Sequence, residues 1–298
     1  MEFSGERPTT AHPLLAGILI DVSASMVSSS LRSESGNRNR TDPESPTDGE
    51  PGIMTRIQSV SRALDDLVAR GAELSKQEAA GRIAPLLKLF MYGFGFGGVF
   101  STFLSVLLGG GRVERSKVRD LLALPGESNS TIGIDQLAQR WLEYRSNIEN
   151  MFPDMLGDTP MASAMQMARD RLTRELATTK YAGNPILLIV SDGEPTPEDG
   201  FPDPAVAVRE LASEMKAAGV TIISCLLTKD DILEPRRLYT SPDASWPAGA
   251  RLLFDCASEV PPASPFHYLL SEFDWTLDRE PAYLPRSTTQ MCCLNSAS

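Results

Sequence analysis

The chain has 298 residues, 42% of them hydrophobic, with 28 lysines and arginines against 39 aspartates and glutamates and a formal net charge of −11. That length and apolar share suit one large α/β domain or two small ones. The negative balance excludes a general binder of phosphate backbones, which needs a basic face. Four cysteines, Cys225, Cys256, Cys292 and Cys293, form no C-x-x-C pair, so no disulfide framework is expected and a reducing cytoplasm fits.

Residues 1–13 read as a polar lead without the basic start, apolar stretch and cleavage site of a signal peptide. Pro13 to Ile20 is a near-continuous apolar run, the pattern of a strand buried on both faces. It ends abruptly in Asp21-Val22-Ser23-Ala24-Ser25. Residues 27–53 are rich in Ser, Asn, Asp, Pro, Glu and Gly, a composition expected to form a flexible insertion over the preceding loop. Helical period resumes at Ile57, Val60, Leu64 and Leu67, which predicts a helix over about 54–78. Leu86–Tyr92 reads as a second strand and Val99–Leu104 as a third, joined by a glycine-rich turn. No charge falls between Leu89 and Gly111, a length that spans a bilayer, but Gly93, Gly95, Gly97 and Gly98 interrupt it and favour buried strands.

Residues 111–150 are expected to add two helices, one around Val118, Leu121 and Leu122, another carrying Leu137, Trp141, Tyr144 and Ile148. Thr159-Pro160 then opens a helix, with Thr as cap and Pro at the first helical position; Met165, Ala168, Leu172 and Leu176 share one face. Pro185–Val190 is another fully apolar strand, ending in Ser191-Asp192-Gly193. Asp203-Pro204 caps a helix with Val208, Leu211 and Met215 inward, closed by Gly219. Val220–Leu227 and Leu252–Cys256 read as strands, Ser264-Pro265 as the start of a last helix, and residues 276–298 as a loose tail.

Alternating strands and helices predict an α/β, Rossmann-like fold, a mostly parallel central sheet with helices on both faces, over 14–275. Ligand sites in such sheets lie beyond the carboxyl ends of the strands. Asp21 and Asp192 both follow strands there, and Thr159 starts a helix on the same edge. Asp21, Ser23, Ser25, Thr159 and Asp192 are five hard oxygen donors, two charged and three neutral. They suit Mg²⁺ or Mn²⁺, whose octahedral shell would retain room for water or for a carboxylate from a partner. Each residue taken singly also fits a turn or a cap.

Asp21-Val22-Ser23-Ala24-Ser25, Thr159-Pro160 and Ser191-Asp192-Gly193 together resemble the von Willebrand factor type A (vWA) domain and its metal-ion-dependent adhesion site (MIDAS), in that family's order. The resemblance spans roughly 14–275 and departs from the family in the long segments 27–53 and 111–150. It implies a protein-binding module and no enzyme. Ser23 and Ser25 would ligate the metal directly, Thr159 and Asp192 directly or through water, and Asp21 from the first shell or through water. The partner would be a protein presenting Asp or Glu, with no nucleic acid and no membrane. The chain also resembles bacterial stand-alone cytoplasmic vWA proteins of the tellurium-resistance-associated type. This implies a regulatory or adaptor role in a stress or defence system beside an ATPase, kinase, phosphatase or protease.

Three alternatives remain. The metal could be structural, with the partner docking on the insertions. Asp21 could be the nucleophile of Mg²⁺-dependent phosphoryl transfer, although Ser23 stands where a second Asp would serve as acid and base. Gly93-x-Gly95-x-x-Gly98 could be a dinucleotide fingerprint, although no helix start or later acidic residue supports it.

Overall fold

The computed structural model describes residues 8–28, 30–31, 54–76, 84–97, 117–126, 131–151, 154–155, 157–228, 237–239, 241–259, 276–277 and 291–295. Its centre is β1 (Leu14–Asp21). This strand lies parallel to β4 (Leu87–Phe94) on one side and to β7 (Ile186–Ser191) on the other. β8 (Thr221–Thr228) continues the parallel run beside β7. Among the described residues the sheet has nine strands, and the chain leaves β1 in both directions across it. The fold class is the expected one: a mixed, mostly parallel sheet between helical layers. Reversal of strand order around β1 opens a crevice at its carboxyl end, the switch point at which such sheets bind ligands.

Side-chain alternation explains the layers. Leu15, Leu19, Phe90, Tyr92 and Phe94 face one way, under α5 (Met161–Thr178), α6 (Pro204–Ala217) and α7 (Ala248–Cys256). Ile18, Ile20, Leu89 and Met91 face the other way, under α2 (Arg56–Leu74), α3 (Ile134–Gln139) and α4 (Trp141–Met151). Gly17 sits beneath Phe90: a Cβ there would lie 2.3 Å from the ring. In α2, Leu64 and Val68 are buried whereas Leu67 is 40% exposed, so the inward stripe is rotated from the expected one. In α5, Met165, Ala168 and Leu172 are buried and Leu176 is 39% exposed. Asp203 caps α6 by accepting from Val206 N at 3.1 Å, as its position before Pro204 predicts.

Four expectations change. Residues 118–120 form strand β5 (Val118–Asp120), antiparallel to β4, and Leu121 and Leu122 follow in a turn, where a helix was expected. β6 (Ile132–Gly133) also pairs antiparallel with β4, so this part of 111–150 extends the sheet's edge before its helices begin. Residues 252–256, expected as a strand, belong to α7 (Ala248–Cys256); its exposed stripe of Ala248, Arg251 and Asp255 has helical spacing, but most of it lies ahead of the apolar run Leu252–Phe254 that suggested a strand. Met291–Asn295, placed in the tail, is strand β11, parallel to β8 and antiparallel to β9 (Arg237–Tyr239). β10 (Thr276–Leu277) pairs with β9.

The short helix α1 (Ala24–Ser28) follows the Asp-Ser-Ser loop, and β2 (Ser30–Leu31) pairs with β3 (Met54–Thr55) at the two ends of the 27–53 segment. The rest of that segment, the proposed strand 99–104 and the helix expected after Ser264 lie outside the described residues. No helix among the described residues is long and apolar enough to cross a membrane. Residues 89–94 of the uncharged stretch are sheet.

Candidate metal centre

Asp21 is the last residue of β1 and is fully buried. Parallel pairing of Ile20 with Val190 puts Ser191 and Asp192 beside it. Both carboxylate oxygens of Asp21 are engaged: Oδ1 accepts from Ser23 N at 2.9 Å and Oδ2 from Ser191 Oγ at 2.6 Å. Ser191 Oγ in turn accepts from Gly193 N at 2.9 Å, which curls the β7 loop back over the strand end. Ser23 is buried, Ser25 is exposed, and their hydroxyls are 3.0 Å apart. The two serines therefore present oxygens on one side of the loop, as the alternate spacing predicts.

Thr159 reaches the same edge through a different set of bonds. Ala24 N donates to Gly157 O at 3.2 Å, and Gly157 N to Gly95 O at 2.7 Å. Asp154, three residues earlier, accepts from Gly97 N at 2.8 Å through its backbone and pairs with Arg119 at 2.9 Å. Two glycines make this crossing possible. Gly95 has φ +107°, and a Cβ on it would lie 2.6 Å from Ser23 N. A Cβ on Gly157 would lie 2.5 Å from Phe96 O. Gly95 thus serves a close backbone approach next to the Asp-Ser-Ser loop. Among the described residues after β4, 95–97 are not helical.

Thr159 is buried, but it is not the cap of α5. The N-cap position is Pro160, which supplies no side-chain bond. The first-turn N–H groups are met from across the crevice. Glu198 Oε1 accepts from Ala162 N at 3.0 Å and Oε2 from Ser163 N at 3.3 Å, and the Ser163 hydroxyl donates to the same carboxylate. Thr159 itself is held by a two-way backbone link: its N–H donates to Thr196 Oγ1 at 2.9 Å, and its carbonyl accepts from Thr196 N at 3.0 Å.

The electrostatics of the site are those of two crowded carboxylates. Burial, reinforced by the charge of Asp192, pushes the Asp21 carboxyl up to about 7, against the pull of its bonds to Ser191 and Ser23. Two carboxylates share a desolvated crevice. Asp192 is half-buried, with Oδ1 shielded from solvent. A dication placed here would remove both the repulsion and the desolvation penalty. The donor set fits one: two carboxylates balance the charge, and three hydroxyls add hard neutral oxygens. Among the described residues no group of three or more His, Cys, Asp and Glu side chains is gathered as a metal site.

Sequence reasoning missed Ser191, Thr196 and Glu198, which hold the candidate ligands from behind. It also missed Gly249, packed on Gly193: a Cβ on Gly193 (φ +85°) would lie 2.3 Å from Gly249 O. The start of α7 is therefore seated directly on the Asp192-Gly193 turn. Only Ser191 carried a local signal, its position next to Asp192; Thr196, Glu198 and Gly249 act across contacts distant in sequence.

No family model matches the chain, and no curated protein matches it. Solved structures do. The SpRpn10 VWA domain is 10% identical, covering 96% of this chain and 89% of that one, with a TM-score of 0.46. A zinc-occupied MIDAS form of proximal thread matrix protein 1 from the mussel byssus is 13% identical, covering 83% and 42%, with a TM-score of 0.43. Manganese-loaded TRAP protein of Plasmodium vivax is 13% identical, covering 72% and 57%, with a TM-score of 0.38. The chain therefore spans little more than half of the TRAP chain and less than half of the mussel protein.

Proposed function

We propose that this chain is a vWA-type binding module whose crevice holds Mg²⁺ or Mn²⁺ and captures a carboxylate of a partner protein. The observation that carries this is the gathering at one strand edge of the buried Asp21, bonded to Ser23 N and Ser191 Oγ, with Asp192 beside it and the Ser23 and Ser25 hydroxyls 3.0 Å apart at the rim. Ser23, Ser25, Thr159 and Asp192 would ligate the ion. Asp21 anchors the set, because its two oxygens already hold the Ser23 backbone and the Ser191 hydroxyl. The metal supplies a Lewis-acidic position that attracts an Asp or Glu side chain from outside. The same burial weighs against Asp21 as a phosphoryl nucleophile: an attacking oxygen needs open access, and this residue has none.

The finer role extends the motif resemblance to the bacterial stand-alone proteins. There the module acts in the cytoplasm as an adaptor or regulator in a stress or defence system, with an ATPase, kinase, phosphatase or protease as partner. The test is the double substitution Asp21→Ala with Asp192→Ala. Mn²⁺ binding, followed by the electron paramagnetic resonance of the free ion, disappears while the far-ultraviolet circular dichroism is retained. Metal-dependent capture of a partner is lost with it. Undiminished Mn²⁺ binding by the double variant would refute the assignment.

A further inference from the structure

Two of the candidate ligands, Asp192 and Thr159, come from elements held to the sheet in different ways. Asp192 follows β7, which the sheet ladder fixes to β1. Thr159 precedes α5, a helix that rests on the sheet through side-chain packing. Such a helix slides more easily than a strand paired on both sides. A small slide would move Thr159 relative to Asp192, and an octahedral Mg²⁺ or Mn²⁺ shell tolerates little displacement.

Residues 194–201 bridge this gap. Thr196 holds Thr159 through both of its backbone groups. Two residues on, Glu198 takes the first-turn N–H groups of Ala162 and Ser163 and the Ser163 hydroxyl. Glu198 is itself fixed by a tight turn, in which its carbonyl accepts from Phe201 N at 3.0 Å with Gly200 at φ +86°. The loop that begins at Asp192 is thus tied to the helix that begins after Thr159.

We propose that Glu198 and Thr196 are positioning residues that lock Thr159 and Asp192 into the register of one metal shell. This proposal rests on the metal-binding function above. Glu198 also brings its negative charge to the positive end of α5. A partner's carboxylate therefore does not meet an open helix N-terminus behind Thr159. The ion is the element that attracts it.

The test measures Mn²⁺ affinity of the whole folded chain at constant pH and salt, by titration with free-ion paramagnetic resonance. The variants are Glu198→Ala, Glu198→Gln, Thr196→Val and, as a charge control, Glu194→Ala. Glu194 is an exposed carboxylate in the same loop, closer in sequence to Asp192. Partners that orient ligands from behind typically contribute about 10- to 100-fold in metal affinity. Glu198→Ala and Thr196→Val should each weaken binding by about tenfold or more on that scale. Glu198→Gln, which keeps an acceptor for one N–H, should fall between them and the unsubstituted chain. Glu194→Ala should change affinity by less than about twofold, as expected of a screened surface charge. If Glu198→Ala fails to fold, Thr196→Val and Glu198→Gln decide the matter in its place. Affinity unchanged in the Glu198 and Thr196 variants overturns the proposal. So does an equal loss in Glu194→Ala, which would make the effect one of charge alone. Failure of the unsubstituted chain to bind Mn²⁺ overturns the metal assignment itself, a result visible before any variant is made.

Discussion

Replacing Asp21 by Asn in metal-free protein tests the electrostatics of the crevice directly. Asn has the same shape as a protonated Asp, keeps an acceptor for Ser23 N, and carries no charge at any pH. The unfolded chain should ionise Asp21 near 3.8, the folded chain at about 7. The folded state therefore retains a proton that the unfolded state has lost, and stability falls as pH rises through this window. Below pH 4 the contribution is fully present, and above the folded value it is gone. At about 1.4 kcal/mol per unit the whole shift corresponds to about 4 kcal/mol, of which about 2–3 kcal/mol is lost between pH 5 and pH 8. Urea unfolding of both proteins in chelator, at steps from pH 5 to pH 8, isolates the term, because other titrating groups cancel in the difference. Asp21→Asn should gain on the unsubstituted chain by about 2–3 kcal/mol over that range. Saturating Mg²⁺ at pH 8 should then stabilise the unsubstituted chain and leave Asp21→Asn nearly unmoved. A difference that stays flat with pH, or one that favours Asp21 at pH 8 in chelator, would refute the reasoning.

Three further outcomes follow from packing. Gly95→Ala places a Cβ 2.6 Å from Ser23 N at φ +107°; it should cost about 1–3 kcal/mol in backbone strain alone, read as a lowered urea midpoint, and should weaken Mn²⁺ binding as the Asp-Ser-Ser loop shifts. Leu172→Ala empties a core position that is 1% exposed and should cost about 2–5 kcal/mol in urea unfolding with Mn²⁺ affinity retained. Cys256 is fully buried in α7, where desolvation pushes its thiol up to about 12; peptide mapping after mild alkylation of the native chain should find it unmodified, and full modification would contradict its packing.

The strands carrying the site were legible because β1 and β7 are buried on both faces, so their sequences are unbroken apolar runs that stop at a carboxylate. The direction of the strands then put Asp21 and Asp192 on one edge without knowledge of the strand order. Other parts had no such signature. In α7 the run Leu252–Phe254, taken without the residues ahead of it, reads equally well as strand or helix; the exposed Ala248, Arg251 and Asp255 at helical spacing are what distinguish the two. β5 spans three residues and contains Arg119 and Asp120; its place is set by pairing with Tyr92–Phe94, a tertiary fact. β11 lies in a polar stretch and exists as a strand through β8 and β9. Glu198 looks like any loop carboxylate, since the N–H groups it receives are 35 or 36 residues away. Thr159 before Pro160 has the local form of a helix start, yet the distant Glu198 took over its capping role.

The hydrogen bond between Ser191 and Asp21 joins residues 170 positions apart. Closing so long a loop is entropically expensive, and parallel neighbours separated by other elements pair late. The crevice therefore cannot form early in synthesis: it waits for β7, the α5 contacts and the 194–201 bridge. An ion that binds only the finished crevice has little to hold in the folding transition state. Its stabilisation should appear mainly as slower unfolding and hardly at all as faster folding. Metal would then act on this protein as a timer of its persistence, setting how long a completed molecule stays intact.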